Sequence, residues 1–414
     1  MFELYLISLS LLALAGIVFE EVIHINKAKT TLFFGCLAWI SLFIHAGSRE
    51  GQHHIAGSLD ENLLEIATLW LFLMSTMTFV AYLNSRGIVQ NFVRSVFPRR
   101  LSMRKLLLLV ALFALLLSSI CDNVTATLVC LGLVQAFDLD RITRLKMAIL
   151  VVFAVNSGGV ALITGDVTTL MIYLDGHVSI GQLLLLIIPS TAGVLTLAAL
   201  FAARIQGELV LEPVRPEYDR MDIYIAAIFF GTIFSTMLLN ILFSIPPVLT
   251  FLTGLSLMFL LGRTARSEQE QTEILEYIRR VEFETLLFFL GILLLVGMLK
   301  EIGTLDQLAH VYSQFTPEIA NWFTGIVSAL LDNVPLTAAL LKADPELSTG
   351  RWLSLTYAVG VGGSLLAIGS AAGILAMSKI DELTFGSYLR YAPALLFAYA
   401  VGYGLTLMVA GLHT

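Results

Sequence analysis

The chain has 414 residues, of which 57% are apolar and only 13% charged, with a formal net charge of −7. Soluble domains carry roughly a quarter charged residues, so the composition excludes a soluble fold and points to a polytopic helical membrane protein. The alternating segments of roughly ten residues that build a membrane β-barrel are absent, and acidic charge spread over short loops excludes a nucleic-acid partner.

Residues 2–19 lack the basic n-region and the A-x-A site of a signal peptide and read as a retained first helix. Further crossings are expected over 30–46, 61–84, 145–175, 180–203, 222–243, 246–262, 285–300, 351–379 and 391–412. Apolar runs of this length become helices because hydrocarbon offers backbone polar groups no outside partner. Two apolar stretches, 105–135 and 319–343, remain to be placed. As one helix the first would be roughly 46 Å long, against a hydrocarbon core of about 30 Å, so a re-entrant helical hairpin is expected. Cys36, Cys121 and Cys130 all lie in apolar stretches and read as small hydrophobes, not as a disulfide framework.

Loop charge orients these elements. Arg86, Arg94, Arg99, Arg100, Arg104 and Lys105 precede 105–135, while Arg141, Arg144 and Lys146 follow it, so both flanks are expected in the cytoplasm. The second hairpin has Lys300, Glu301, Asp306, His310 and Glu318 before it and Asp344, Glu346 and Arg351 after it. With no positive excess, it is expected to open outside. Arg263, Arg266, Arg279, Arg280, Lys379 and Arg390 then fall inside, and both termini outside. The expected fold class is an all-α polytopic membrane protein of two inverted-topology repeats, 1–210 and 211–414, each of about five crossings plus a hairpin. Helices 145–175 and 351–379 are expected to be interrupted at the midplane. The join lies near 204–222, with PVRPEYDR as a polar linker, and 266–284 reads as an amphipathic surface helix or a solvated connector.

The repeat is carried by polar motifs in apolar sequence. Asp122-Asn123-Val124 lies within LLLSSICDNVTATLVCLGL, and Asp332-Asn333-Val334, 210 positions later, within GIVSALLDNVPLTAALL. NSGGVALITGDVTT (156–169) aligns on its paired glycines with GVGGSLLAIGSAAG (360–373), setting Asp166 against Ser370. Gly- and Ser-rich interruptions expose carbonyls and half-helix ends that can coordinate ions. Small residues also serve close helix packing, and a lone buried Asp can be a helix cap. Duplication of both motifs, and three carboxylates at equivalent interruptions, favour an ion site.

Carboxylates, amide carbonyls and hydroxyls are hard oxygen donors suited to an alkali cation or a proton. Asn123, Asn156 and Asn333 can supply carbonyl oxygens. Thr125, Thr168, Thr169, Ser118, Ser119, Ser328, Ser364 and Ser370 can supply hydroxyls, although any one of these can instead bond back to its own helix. Asp122, Asp166 and Asp332 lie deepest in the apolar segments, with Glu65 nearer an end. Burial and mutual repulsion oppose their simultaneous ionisation, so protonation competes with cation binding. The replacement of Asp166 by Ser370 gives the first half an additional protonatable group. His45, His53, His54, His177 and His310 read as solvated residues in or beside external loops, Glu20 and Glu21 as a cytoplasmic boundary, and Lys300 as a snorkelling helix end.

These residues resemble the NhaD-type sodium/proton antiporters of the ion transporter superfamily. The matching pieces are ENLLEIATLWLFLMSTMTFV (61–80), SSICDNVTATLV (118–129), NSGGVALITGDVTT (156–169), VEFETLLFFLGILLLVGMLKEIG (281–303), SALLDNVPLTAAL (328–340) and VGGSLLAIGSAAG (361–373). The resemblance implies a secondary transporter, not an enzyme, exchanging Na⁺ or Li⁺ for H⁺ in a bacterial cytoplasmic membrane by elevator-like movement. It places Asp122, Asn123, Asp166, Thr168, Asp332 and Asn333 in the ion path, with Glu65 as a further candidate. No cofactor is expected, and a homodimer is the candidate assembly. The chain departs from the family pattern at Ile163-Thr164, where a Ser-Pro pair often precedes Gly-Asp, and at Ala81, where a Glu often stands. The nearest alternatives are a sodium-coupled dicarboxylate symporter and an arsenite or antimonite permease. Acidic hairpin tips would repel a dicarboxylate. An intramembrane aspartyl protease would need a Tyr-Asp partner for Gly165-Asp166, which is missing.

Cysteines introduced near Arg99 and Arg141 are expected to label only from the cytoplasm, and those near Glu318 and Glu346 only from outside. Labelling of Arg99 and Arg141 from opposite faces would make 105–135 an ordinary crossing and overturn the inverted layout.

Overall fold

The computed structural model describes residues 2–18, 25–88, 100–137, 139–203, 205–210, 220–264, 276–279, 281, 283–305, 310, 312, 314–330 and 332–411. Glu20, Glu21, Arg94, Arg99, Arg280, Asp306, the linker 211–219 and most of the connector 266–284 lie outside these residues. The described chain is almost entirely helical. Eight of its helices are long and apolar enough to cross a membrane, as expected of a multi-pass membrane protein.

The first elements are α1 (Phe2–Val18), α2 (Lys27–His45) and α3 (Arg49–Ser85). Helix α3 starts 12 residues before the predicted crossing at 61, so His53 and His54 are helical and not loop residues. An apolar-run reading stops where polarity changes, whereas the backbone unwinds only where a breaker ends the helix. His45 is likewise the last residue of α2, its ring stacked on Phe2 with centroids 3.7 Å apart. The all-α expectation holds, with the addition of a short two-stranded antiparallel ribbon, β1 (Arg100–Ser102) with β2 (Glu208–Val210). Three-residue strands leave no periodicity to read.

Between the strands lie α4 (Met103–Ile120), α5 (Asn123–Ala136), α6 (Arg141–Gly159), α7 (Val167–Leu174), α8 (Ile180–Leu183) and α9 (Ile187–Ala202). The second half supplies α10 (Arg220–Phe243), α11 (Pro247–Thr264), α12 (Phe283–Glu301), α13 (Pro317–Ser328), α14 (Asn333–Ala343), α15 (Thr349–Gly362), α16 (Ala371–Lys379), α17 (Phe385–Leu389) and α18 (Ala392–Ala410). Both predicted hairpin segments are therefore broken at their Asp-Asn motifs, and both predicted interrupted helices are interrupted. The α4 arm alone also has the length and apolarity of a crossing.

The helices gather into two compact units, each drawing on both halves of the sequence. One comprises Met1–Leu73, Glu282–Ala320 and Val334–Leu347, the other Met74–Val281, Asn321–Asn333 and Ser348–Thr414. In the first unit α2 packs along α12, with Gly35 so near Gly291 that an added Cβ would lie 2.9 Å from the Gly291 carbonyl oxygen. Three side chains donate to α12 carbonyls: Trp39 to Leu294 at 2.9 Å, Asn62 to Leu293 at 3.2 Å and Trp70 to Leu286 at 2.8 Å. Buried indoles and amides need such partners, and a carbonyl can take a second bond without leaving its helix.

The second unit is built around α6, which has 15 buried residues from Thr143 to Gly159. Its neighbours include α4, α5, α9 and α15. The ribbon fixes the outer end of α4, helped by bonds from the Met103 amide to the Gly207 oxygen (3.0 Å) and from Arg104 Nε to the Ile205 oxygen (3.0 Å). Arg144 ties the start of α6 to Glu382, beyond α16, at 3.0 Å. Buried Tyr82 near the end of α3 donates to Asp222 at 2.6 Å.

Candidate functional site

Each helix interruption leaves N–H and C=O groups without helical partners, and in an apolar environment these must be satisfied locally. The chain does this twice with the same turns. In the first break the amides of Ala161 and Gly165 donate to the oxygens of Gly158 and Leu162; in the second those of Leu365 and Gly369 donate to Gly362 and Leu366. The half-helices that follow are capped by side chains at equivalent positions: Asp166 accepts from the Thr168 amide at 3.0 Å, Ser370 from the Gly373 amide at 3.3 Å.

The helices before the hairpin tips join the breaks in matched fashion. Ser118 donates to the Val155 oxygen and Ser328 to the Val359 oxygen, each at 2.7 Å. A Cβ on Gly158 would lie 2.1 Å from the Leu115 oxygen, and one on Gly362 would lie 2.2 Å from the Gly325 oxygen. Only glycine permits backbones this close, so the paired glycines bring the hairpin tips to the breaks.

The tips converge on Asp166. Asn123 Nδ2 donates to Asp166 Oδ2 at 2.9 Å, and Asn333 Nδ2 donates to the same oxygen at 3.3 Å. One amide from each duplicated motif thus reaches one carboxylate, which is only 6% exposed. Ser118 holds the other end of Asn123, donating to its Oδ1 at 2.7 Å. Asp332 lies within electrostatic reach of Asp166. Asn156, fully buried, donates to the Ser370 hydroxyl at 3.2 Å and to the Val152 oxygen at 2.9 Å. At the first break Asn156 Oδ1, Ser157 Oγ, Thr168 Oγ1 and Thr169 Oγ1 are buried with no hydrogen-bond partner among the described residues. Each is a neutral hard oxygen of the kind that ligates alkali cations. With a central carboxylate, the group can hold either a small hard cation or a proton.

The other predicted residues make contacts of their own. Asp122 caps α5, accepting from the Thr125 amide at 3.0 Å and the Thr125 hydroxyl at 2.9 Å. Ser119 and Ser364 bond back to Leu116 and Val361. Glu65 belongs to the other compact unit, where both its oxygens meet Lys342 Nζ at 2.5–2.6 Å. Lys342 escaped the sequence reading because it lies inside an apolar hairpin arm; a lone cation there was the available signal for a carboxylate partner. Ser157 and Gly159 were also missed as individual residues, although both stand in the NSGG motif. At the departure from the family pattern, the Thr164 hydroxyl donates to the Ser119 oxygen at 2.7 Å, tying the break to the hairpin by a side chain.

A family model described as a citrate transporter matches residues 4–362. The chain is 31% identical over 411 residues to the Na⁺/H⁺ antiporter NhaD of Vibrio parahaemolyticus, covering 91% of this chain and 98% of that protein. It is 32% identical to the NhaD antiporter of Alkalimonas amylolytica, over 92% of this chain and 85% of the relative. To sodium/proton antiporter 1 of Arabidopsis thaliana it is 30% identical, over 96% and 71% respectively.

Gly159 lies directly against the side chains of the cluster: a Cβ there would lie 2.6 Å from Asn123 Oδ1 and 3.0 Å from Asp166 Cβ. Gly159→Ala is therefore expected to lower the melting temperature of the purified protein, by a strain of about 1–3 kcal/mol. Gly132→Ala, in a helix with open space beside it, is expected to leave it unchanged or raise it. Equal melting temperatures for wild type and Gly159→Ala would show that the cluster is loosely packed.

Proposed function

The chain belongs to the NhaD antiporter family, within the wider citrate-transporter family, and on that premise we propose that it exchanges Na⁺ for H⁺ across a bacterial cytoplasmic membrane. The observation that carries this reading is the single buried carboxylate of Asp166, reached by an amide from each of the two Asp-Asn motifs. When Asp166 is ionised, its charge and the surrounding oxygens favour a dehydrated alkali cation. Protonation removes that charge and releases the ion, so cation and proton occupy the site in turn. The start of α7 favours the ionised form, because the first amides of a helix stabilise negative charge.

The matched turns, caps and Ser-to-carbonyl bonds support the two-repeat reading, 1–210 and 211–414, inverted because each repeat holds an odd number of crossings. Both termini then lie outside. Hairpins opening to opposite faces, with tips at a common carboxylate, suit alternating access by elevator-like movement. Li⁺, similarly small and hard, is a second substrate. The family model's description raises citrate uptake as the rival. A tricarboxylate needs cationic or neutral donor groups at the tips, whereas this chain places Asp122 and Asp332 there.

In vesicles carrying an imposed pH gradient, Na⁺ and Li⁺ are expected to dissipate the gradient, and citrate and succinate are not. Sodium-dependent citrate or dicarboxylate uptake without proton exchange would sink the antiport reading.

Asp122→Asn, Asp166→Asn and Asp332→Asn are each expected to abolish exchange while leaving membrane insertion intact, since each removes a charge without adding bulk. Full exchange by Asp166→Asn would show that the central carboxylate is structural.

A further inference from the structure

The two breaks share a backbone design but differ in the oxygen they present. Asn156, Ser157, Asp166, Thr168 and Thr169 of the first interrupted helix align with Gly360, Val361, Ser370, Ala372 and Gly373 of the second. Over the whole of 156–169 and 360–373, six side chains of the first break bear oxygen against two, Ser364 and Ser370, of the second, and among the described residues the four partnerless buried oxygens at a break, on Asn156, Ser157, Thr168 and Thr169, all belong to the first. In the second interrupted helix the Tyr357 hydroxyl is also partnerless. It lies against Gly193 and Gly402, in the body of the helix.

Two oxygens at the second break are met by side-chain donors from elsewhere in the fold. Ser370 Oγ receives Asn156 Nδ2 at 3.2 Å. The Ser364 carbonyl receives the Tyr388 hydroxyl at 2.5 Å, from a side chain with no exposure at all. Tyr388 sits on α17, which starts with a Thr384–Ser387 capping box; the matching Ser179–Gln182 box starts α8. Counting from these boxes, Leu183 stands where Tyr388 stands, equally buried and with no group to donate. Among the described residues no side chain donates to the matching Val160 carbonyl of the first break.

The geometry points to a single cation per transport cycle, carried at the Asp166 break, with Tyr388 as the positioning residue whose hydroxyl closes the second break to a second ion. This deepens the Na⁺/H⁺ reading and rests on it. An O–H aimed at the carbonyl satisfies the lone pair that a cation would use, and it brings no charge that needs a counter-ion. A duplicated architecture that could bind two ions is thereby reduced to one.

Equilibrium binding of radioactive sodium to the purified full-length chain, beside vesicle exchange, tests this. The wild type is expected to bind one Na⁺ per chain with a Hill coefficient of about 1. Tyr388→Phe keeps the ring and frees the carbonyl, so its isotherm is expected to gain a second, weaker phase, with a Hill coefficient below 1. Two Na⁺ bound per wild-type chain that exchanges normally would overturn the single-cation inference alone. A Tyr388→Phe isotherm identical to the wild type would overturn the role of the hydroxyl. A wild type that neither binds nor exchanges sodium would overturn the Na⁺/H⁺ reading and this inference together. Should Tyr388→Phe fail to fold, the wild-type stoichiometry still decides the count.

Discussion

A helix that stops inside hydrocarbon must find partners for its loose amides and carbonyls, and the rest of this structure follows from the two places where helices stop. Tight turns satisfy part of the demand, and Asp166 and Ser370 cap the half-helices that restart. Caps alone do not hold the broken ends in place. Ser118 and Ser328 each reach a carbonyl one turn before a break, and paired glycines let the hairpin backbones come near enough to make those bonds. Once the tips are seated, Asn123 and Asn333 have a buried acceptor in Asp166. The chemistry of the site is a by-product of closing the breaks.

The same demand shapes the polar contacts of the other compact unit. Two indoles and one amide spend their donors on α12 carbonyls that already serve the helix, which joins three helices without exposing any backbone. The Glu65–Lys342 pair follows the rule for charge: in an apolar segment a carboxylate persists beside a partner cation. Asp166 departs from that rule. Neutral amides and a helix N-terminus surround it, and no cationic partner is among its hydrogen-bond contacts, so an external cation or a proton can supply the missing charge.

Much of this was legible in the sequence because polar residues in hydrocarbon have few roles. The Asp-Asn duplications marked the hairpin tips, and the Gly-Asp and Gly-Ser pairs marked the breaks to within a residue. What could not be read was which acceptor each donor would choose. Asp122 turns to its own helix through Thr125, a local bond available whatever the fold does. The partner of Glu65 could not be read, because it lies 277 positions away on an arm whose apolar character hid a lysine. The start of α3 at Arg49 was missed because polarity changes at 61 while helix propensity does not. The ribbon was invisible, since six residues carry too little pattern to distinguish a strand from a loop.

That ribbon bears on how the protein is made. Arg100–Ser102 lies at the entrance to the first hairpin, and its partner Glu208–Val210 is synthesised only after the whole first half. At roughly 5–20 residues per second, on the order of ten seconds separate the two strands as they leave the ribosome. During that interval α4 is in place with its outer end untied. The arm that carries Asp122 must therefore be held first by its packing on α6, and the ribbon acts as a late lock on a half-repeat already assembled. Insertion machinery that retains the early helices until residue 210 has emerged would suit such a chain better than one that releases each helix as it forms.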